Sequence, residues 1–205
     1  MSISLKDINR PALVLVLVAN VLLYYVAFSW FDLIQFSELV ANYESYLPGA
    51  FLVLVAGILN SQLDHKTKAR LVFWRWNHPL PGCYAFTDIM NTDDRINPTI
   101  LRTIYDPLPI DPVEQNQLWF KWYRELQNET SISQAHREYL FTRDWTGLVV
   151  LLGIVMIPLA FLQMEQMQAS TFLAIMIVQY IVVRWSARNH GRRFVASVLA
   201  YKSSS

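Results

Sequence analysis

The chain has 205 residues, of which 54% are hydrophobic, 16% charged and 14% aromatic; it has one cysteine and a formal net charge of +1. Soluble domains carry about 25% charged residues, so this composition excludes disorder, collagen, a coiled coil and a disulfide scaffold, and the charge gives no reason to expect direct binding of nucleic acid. Apolar residues collect in long runs with the charges between them, which points to a membrane.

The first run, Pro11 to Phe31, is 21 residues with no charge and one amide, Asn20. At 1.5 Å per residue it spans about 31 Å, enough for a hydrocarbon core of roughly 30 Å. Pro11 suits the first helical position, where its missing N–H costs nothing. A signal-peptide core is only about 7–15 residues long and ends in a small-residue cleavage site. This run ends in Ser29-Trp30-Phe31-Asp32 and reads as a retained helix. The second run, Leu47 to Leu63, opens with Pro48-Gly49 and closes with Asn60-Ser61-Gln62; it is short, and Tyr43 and Tyr46 extend it into the interface. The third, Trp145 to Leu162, is uncharged, and Pro158 predicts a kink near its end. The fourth, Ala169 to Val183, has 15 residues with Gln179 among them. About six residues, Gln163 to Gln168, join runs three and four, which predicts an antiparallel helical hairpin. Runs two and four also have the length of buried core helices, but four spans is the reading preferred.

The charges follow the same division. Lys6 and Arg10 precede run one, ten cations lie between runs two and three, and Arg184, Arg188, Arg192, Arg193 and Lys202 follow run four; these are all 17 Lys and Arg. The other two loops hold no cation and carry Asp32, Glu38 and Glu44 in one and Glu165 in the other. Since cytoplasmic loops collect Lys and Arg, both termini are expected in the cytoplasm of an inner-membrane protein. Trp30, Trp145 and Trp185 at run ends suit the lipid–water interface. Cys83 falls on the reducing side, so no disulfide is expected. The expected fold is an all-α integral membrane protein with an N-terminal hairpin (1–63), a small, mainly helical cytoplasmic domain (64–144), a C-terminal hairpin (145–183) and a basic tail (184–205).

Within the cytoplasmic segment, Leu71 to Trp76 follows the cations Lys66, Lys68 and Arg70. It reads either as an interfacial helix continuing span two, with Trp74 and Trp76 at the headgroups, or as part of the domain core. The turn His78-Pro79-Leu80-Pro81-Gly82-Cys83 ends any helix. Asn97-Pro98 starts a short helix, Thr99 to Tyr105. Asp111-Pro112-Val113-Glu114 reads as a capping box, with Glu114 reaching back, for a helix running to about Gln127 whose stripe is Leu118, Trp119, Trp122 and Leu126. Ser131 or Ser133 is expected to cap a helix that runs unbroken into span three, a rigid link able to carry a mechanical signal. About 80 residues hold only a marginal core alone, so this domain is expected to lean on the membrane, the tail or other copies of itself.

Catalytic and metal signals are weak. His65, His78, His136 and His190 lack tight metal spacing with one another or with Cys83. Asp88, Asp93 and Asp94 suggest a divalent-ion site, but Asn91, Thr92 and Asn97 beside them favour a turn-and-cap cluster. The spans hold no charge, against a proton pump or ion-coupled transporter. No catalytic residue, metal or cofactor is expected. Asn20 and Gln179 read as one helix–helix hydrogen bond, or alternatively as amides lining a pore or oligomer seam. Arg184, Arg188, Arg192 and Arg193 read as an anchor on anionic lipid, or alternatively as a docking surface for an acidic partner; Lys66, Lys68, Arg70, Trp74 and Trp76 are further candidates for partner or lipid contact.

The expected function is a non-enzymatic, homo-oligomeric inner-membrane sensor or scaffold that binds and regulates a cytoplasmic protein partner. The alternatives are a gated pore or membrane-disrupting effector, and an enzyme acting at the cytoplasmic headgroups through Asp93, Asp94, His78 or His136. In size and four-span layout, along the whole chain, the protein resembles the membrane subunit of the bacterial Kiwa antiphage system. The resemblance implies a sensor of phage-induced membrane disturbance that works with a DNA-binding partner.

Overall fold

The computed structural model describes residues 5–29 and 47–204. It is all-helical, with no strand among the described residues. In chain order the helices are α1 (Leu5–Ser29), α2 (Leu47–Gln62), α3 (His65–Phe73), two 3-10 turns (Pro81–Tyr84 and Ile89–Asn91), α4 (Pro98–Ile104), α5 (Pro112–Leu126), α6 (Thr130–Gln163) and α7 (Gln166–Ser204). They form two compact units: Met1–Asp64 with Asp144–Val183, and His65–Arg143 with Arg184–Ser205. The acidic loop of Asp32, Glu38 and Glu44, together with Trp30, Tyr43 and Tyr46, lies outside the described residues.

Among the described residues three helices are long and apolar enough to cross a membrane: Asp7–Phe28 within α1, α6 and α7. The run that begins at Leu47 is helical as expected, but α2 has 16 residues, about 24 Å of helix. The first unit is apolar outside as well as inside. Leu15, Ile58, Ile154 and Leu162 are between 62 and 84% exposed, a surface suited to hydrocarbon, since exposing such a side chain to water forgoes about 1.5–3 kcal/mol. Small residues let the helices approach: Ala27, Ala56, Ala160 and Ala169 are buried around Phe172, Leu152 and Met176. At Gly57 a β-carbon would stand 2.9 Å from Leu17 Cδ1. Interhelix hydrogen bonds sit at opposite ends of this unit's part of α6. Tyr24 Oη donates to Gln163 Oε1 at 2.8 Å, and Gln168 Nε2 to the Phe28 carbonyl at 3.1 Å. At the other end Asn60 Nδ2 donates to the Asp144 carbonyl at 3.0 Å.

Two local expectations change here. Pro11 lies inside α1, not at its first position; the polar turn that includes Asp7 and Arg10, joined at 3.1 Å, is already helical, and a proline so near the start forfeits only one backbone hydrogen bond. The hairpin between α6 and α7 is tighter than six residues: Met164 and Glu165 alone separate the helices, because Met164 N still donates to Ala160 O and Gln168 Oε1 accepts from Glu165 N.

The second unit is built on aromatic rings. Trp119 and Trp122 of α5 and Tyr139 of α6 share a core with Phe194, Val195 and Leu199 of α7. Phe194 stacks on His136 at 4.5 Å between ring centroids and meets Trp119 and Tyr123 edge-on, each at 5.2 Å. The apolar face of the basic segment 184–205 is thus part of this core. Gly191 permits the close approach: a β-carbon there would lie 2.8 Å from Phe73 Cζ and 3.0 Å from Tyr139 Cε2.

The two proline-led helices start as their sequences predict. Asn97 Oδ1 accepts from Thr99 N and Ile100 N, and Asp111 Oδ1 from Val113 N and Glu114 N. Glu114 is exposed and does not complete the capping box, since a solvated carboxylate loses little by staying in water. Neither Ser131 nor Ser133 caps α6, which already begins at Thr130; Ser133 N bonds the Glu129 carbonyl. The stretch Leu71–Trp76 does not continue α2. The chain breaks at Leu63–Asp64, and α3 stops at Phe73 because Trp74 adopts φ 53°, a left-handed conformation. Val72 goes into the core while Trp74 and Trp76 remain 64 and 81% exposed, so each of the two readings holds for part of the stretch.

Candidate anion-binding cleft

The loop between α3 and α4 is held from beneath by α5. Gln115 is 1% exposed. Its Oε1 accepts from Phe86 N (3.0 Å), Thr87 N (3.3 Å) and Thr87 Oγ1 (3.3 Å), while its Nε2 donates to the Ile110 carbonyl (2.8 Å). Gly82 lies so close to Trp119 that a β-carbon would approach Cε3 to 2.7 Å. This support fixes the two 3-10 turns and with them Tyr84 and Asp88.

Three arginines meet these two residues. Arg192 donates from Nη1 and Nη2 to the two carboxylate oxygens of Asp88 at 2.7 and 3.1 Å, and from Nη2 to Thr92 Oγ1 at 3.1 Å. The Arg75 guanidinium stands 3.7 Å from the centroid of the Tyr84 ring. Arg188 lies one helical turn before Arg192 on the same face of α7. Together with Phe73, Pro81 and Ile89 they line a cleft of about 90 Å³. The Arg192 hydrogen bonds hold the Asp88 carboxyl below its usual range, and the charges of Arg75 and Arg188 add to this. One carboxylate facing three guanidiniums leaves the lining with a surplus of positive charge. Guanidinium forks match carboxylate and phosphate oxygens, which gives the cleft the chemistry for an anionic group.

The sequence singled out Arg188 and Arg192 but missed Arg75, Tyr84, Asp88 and Gln115 as parts of a site; Asp88 had been weighed for metal instead. Of the other candidates, Arg184 places its guanidinium 3.7 Å above the Trp74 ring and Arg193 is exposed. Lys66, Arg70 and Trp76 line a separate groove with His78. Lys68 is 1% exposed, so it is not among the surface cations; its position in α3 turns toward the core beside Ala69 and Val72. Asn20 is buried, but its Nδ2 bonds Val16 O of its own helix at 2.8 Å and no hydrogen bond joins it to Gln179, which is half-buried. Asn60, Gln163 and Gln168 are amides that do bridge helices.

Among the candidates for chemistry, Asp93 is engaged by its neighbour Arg95 at 2.7 and 2.9 Å in an Asx-type turn, while Asp94 is exposed. His78 is exposed with φ 50°. His136 packs on Phe194, with Nδ1 2.9 Å from Tyr123 Oη. Burial raises the Cys83 thiol pKa, which lowers its reactivity. Among the described residues no group of three His, Cys, Asp or Glu is placed to hold a metal ion. No family model, curated protein or solved structure matches the chain.

Proposed function

We propose that the protein is a non-enzymatic, homo-oligomeric sensor or scaffold of a bacterial inner membrane, and that its second unit binds and regulates an acidic cytoplasmic partner through the arginine cleft. The observation that carries this reading is the excess of guanidinium over carboxylate at Arg75, Arg188, Arg192 and Asp88. An acidic side chain or chain terminus of a partner offsets that excess.

The arrangement of the second unit supports a four-span topology with cytoplasmic termini. Residues on both sides of the apolar stretch 144–183 enter one core, which favours an even number of crossings for that stretch. The order of charges supports the same reading, since all 17 Lys and Arg fall in the segments that this topology assigns to the cytoplasm. The resemblance in size and layout to the Kiwa membrane subunit makes antiphage defence the first setting in which to look for the partner.

The test is isolation of the tagged full-length chain from membranes. A soluble protein should co-purify in fixed stoichiometry and be lost from the Arg188→Glu and Arg75→Glu variants while their helical circular dichroism is unchanged. Recovery of a bare homo-oligomer, or of the same partner with both variants, overturns the reading.

A further inference from the structure

We propose that the groove between α3 and the segment Trp76–Cys83 binds the phosphate headgroup of an anionic phospholipid. This rests on the membrane reading above but not on the arginine cleft, with which the groove shares no lining residue.

The groove has a volume of about 320 Å³. Lys66 and Arg70 line it and are four residues apart on one helix, hence on one face. Arg70 Nε donates to the Trp76 carbonyl at 3.2 Å, which holds the loop of Trp76 against α3 and leaves the two terminal amino groups of the fork to meet phosphate oxygens. Beside the cations the lining holds the apolar Trp76, Pro79, Leu80 and Val113, with the polar Asn77, His78 and Asn116 among them. A phospholipid presents that pairing, an anionic diester beside glycerol and acyl carbons. A free phosphate would use only the basic half, so the occupant is the lipid.

Chain connectivity brings this groove to the headgroups by two routes. Lys66 is four residues past the end of α2 at Gln62, and four residues reach at most about 14 Å. Trp74, two residues before Trp76, lies under the guanidinium of Arg184, the residue that follows the uncharged stretch ending at Val183. Exposed indoles at Trp74 (64%), Trp76 (81%) and Trp185 (65%) belong where a ring meets both acyl chains and water.

The test uses the full chain in neutral detergent, titrated with dioctanoyl phosphatidylglycerol, dioctanoyl phosphatidylcholine and glycerol 3-phosphate, with bound ligand counted by native mass spectrometry. Two basic contacts predict a preference of about tenfold or more for phosphatidylglycerol over phosphatidylcholine. Binding should fall at least tenfold in Lys66→Gln/Arg70→Gln and severalfold in Trp76→Ala, whose exposed ring is not needed for the fold. Arg188→Glu should bind the lipid as the parent does, so loss of the partner and loss of the lipid are separable. Equal binding of phosphatidylcholine, glycerol 3-phosphate binding as tightly as the lipid, or unchanged binding in Trp76→Ala and the double variant would overturn the proposal.

Discussion

Arg192 grips both carboxylate oxygens of Asp88, at 2.7 and 3.1 Å, and so ties together positions 104 apart in the chain. The pair fixes the last turns of α7 to the loop that carries Tyr84. Both side chains are about one-third exposed, so the stabilisation is modest, about 1 kcal/mol or less. Asp88→Asn should lower stability by that amount at neutral pH. The folded carboxyl titrates below its unfolded value of 3.8. The contribution is therefore complete above about pH 5 and is lost as pH falls through the folded value. Thermal unfolding of parent and variant should converge once the pH falls below the folded value of the carboxyl; a gap that persists through the acid limb would show that the pair acts by shape alone.

His136 provides a second pH dependence at a higher range. Burial, assisted by the charge of Arg143, pushes its pKa from 6.5 down to about 4. The unfolded chain therefore takes up a proton below pH 6.5 that the folded chain refuses until about pH 4. Stability contributed by the neutral ring is complete above pH 6.5 and declines as pH falls toward 4. Denaturant titrations at pH 7.5 and 5 should show a loss in the parent that is smaller in His136→Gln. Equal losses would mean that the ring is protonated in the fold.

Gly191 and Gly57 separate two kinds of close contact. At Gly191 the neighbours are the rings of Phe73 and Tyr139, held by the surrounding core. Gly191→Ala should cost about 1–3 kcal/mol through overpacking. At Gly57 the neighbour is the mobile end of Leu17, and the gain in helix propensity, about 0.5–1 kcal/mol, offsets its displacement. Gly57→Ala should be near neutral in the same melting experiment.

Gln115 touches no ligand in either proposed site, yet it holds the loop of the arginine cleft. Gln115→Leu removes the acceptor for the buried Phe86 N–H, which should destabilise the protein by about 1–3 kcal/mol. Partner binding should weaken with it, and backbone amide exchange should quicken at residues 86 and 87. Fast exchange confined to other segments would sink this assignment.

The local patterns were legible. Uncharged runs, the Asn97-Pro98 and Asp111-Pro112 helix starts and the Trp119–Trp122 stripe each depend on neighbours within two or three turns, and each is present as a helix, a cap or a buried face. Other features depended on how each helix turns and packs. Asn20 was singled out because an amide among apolar residues is conspicuous, yet its backbone partner lies in its own helix; Asn60, at the polar end of its run, bridges helices instead. Lys68 belonged by composition to a basic cluster and by helix phase to the core.

Composition and charge order thus establish a helical chain with long apolar stretches, because hydrophobicity and helix periodicity act through nearest neighbours. The cleft has another origin. Arg75, Asp88, Arg188 and Arg192 come from segments about a hundred residues apart, and no spacing rule relates them. They converge because the apolar face of residues 194–199 is buried against Trp119 and Trp122, and burying that face carries the arginines on the same helix to a carboxylate that the sequence placed in a turn-and-cap cluster.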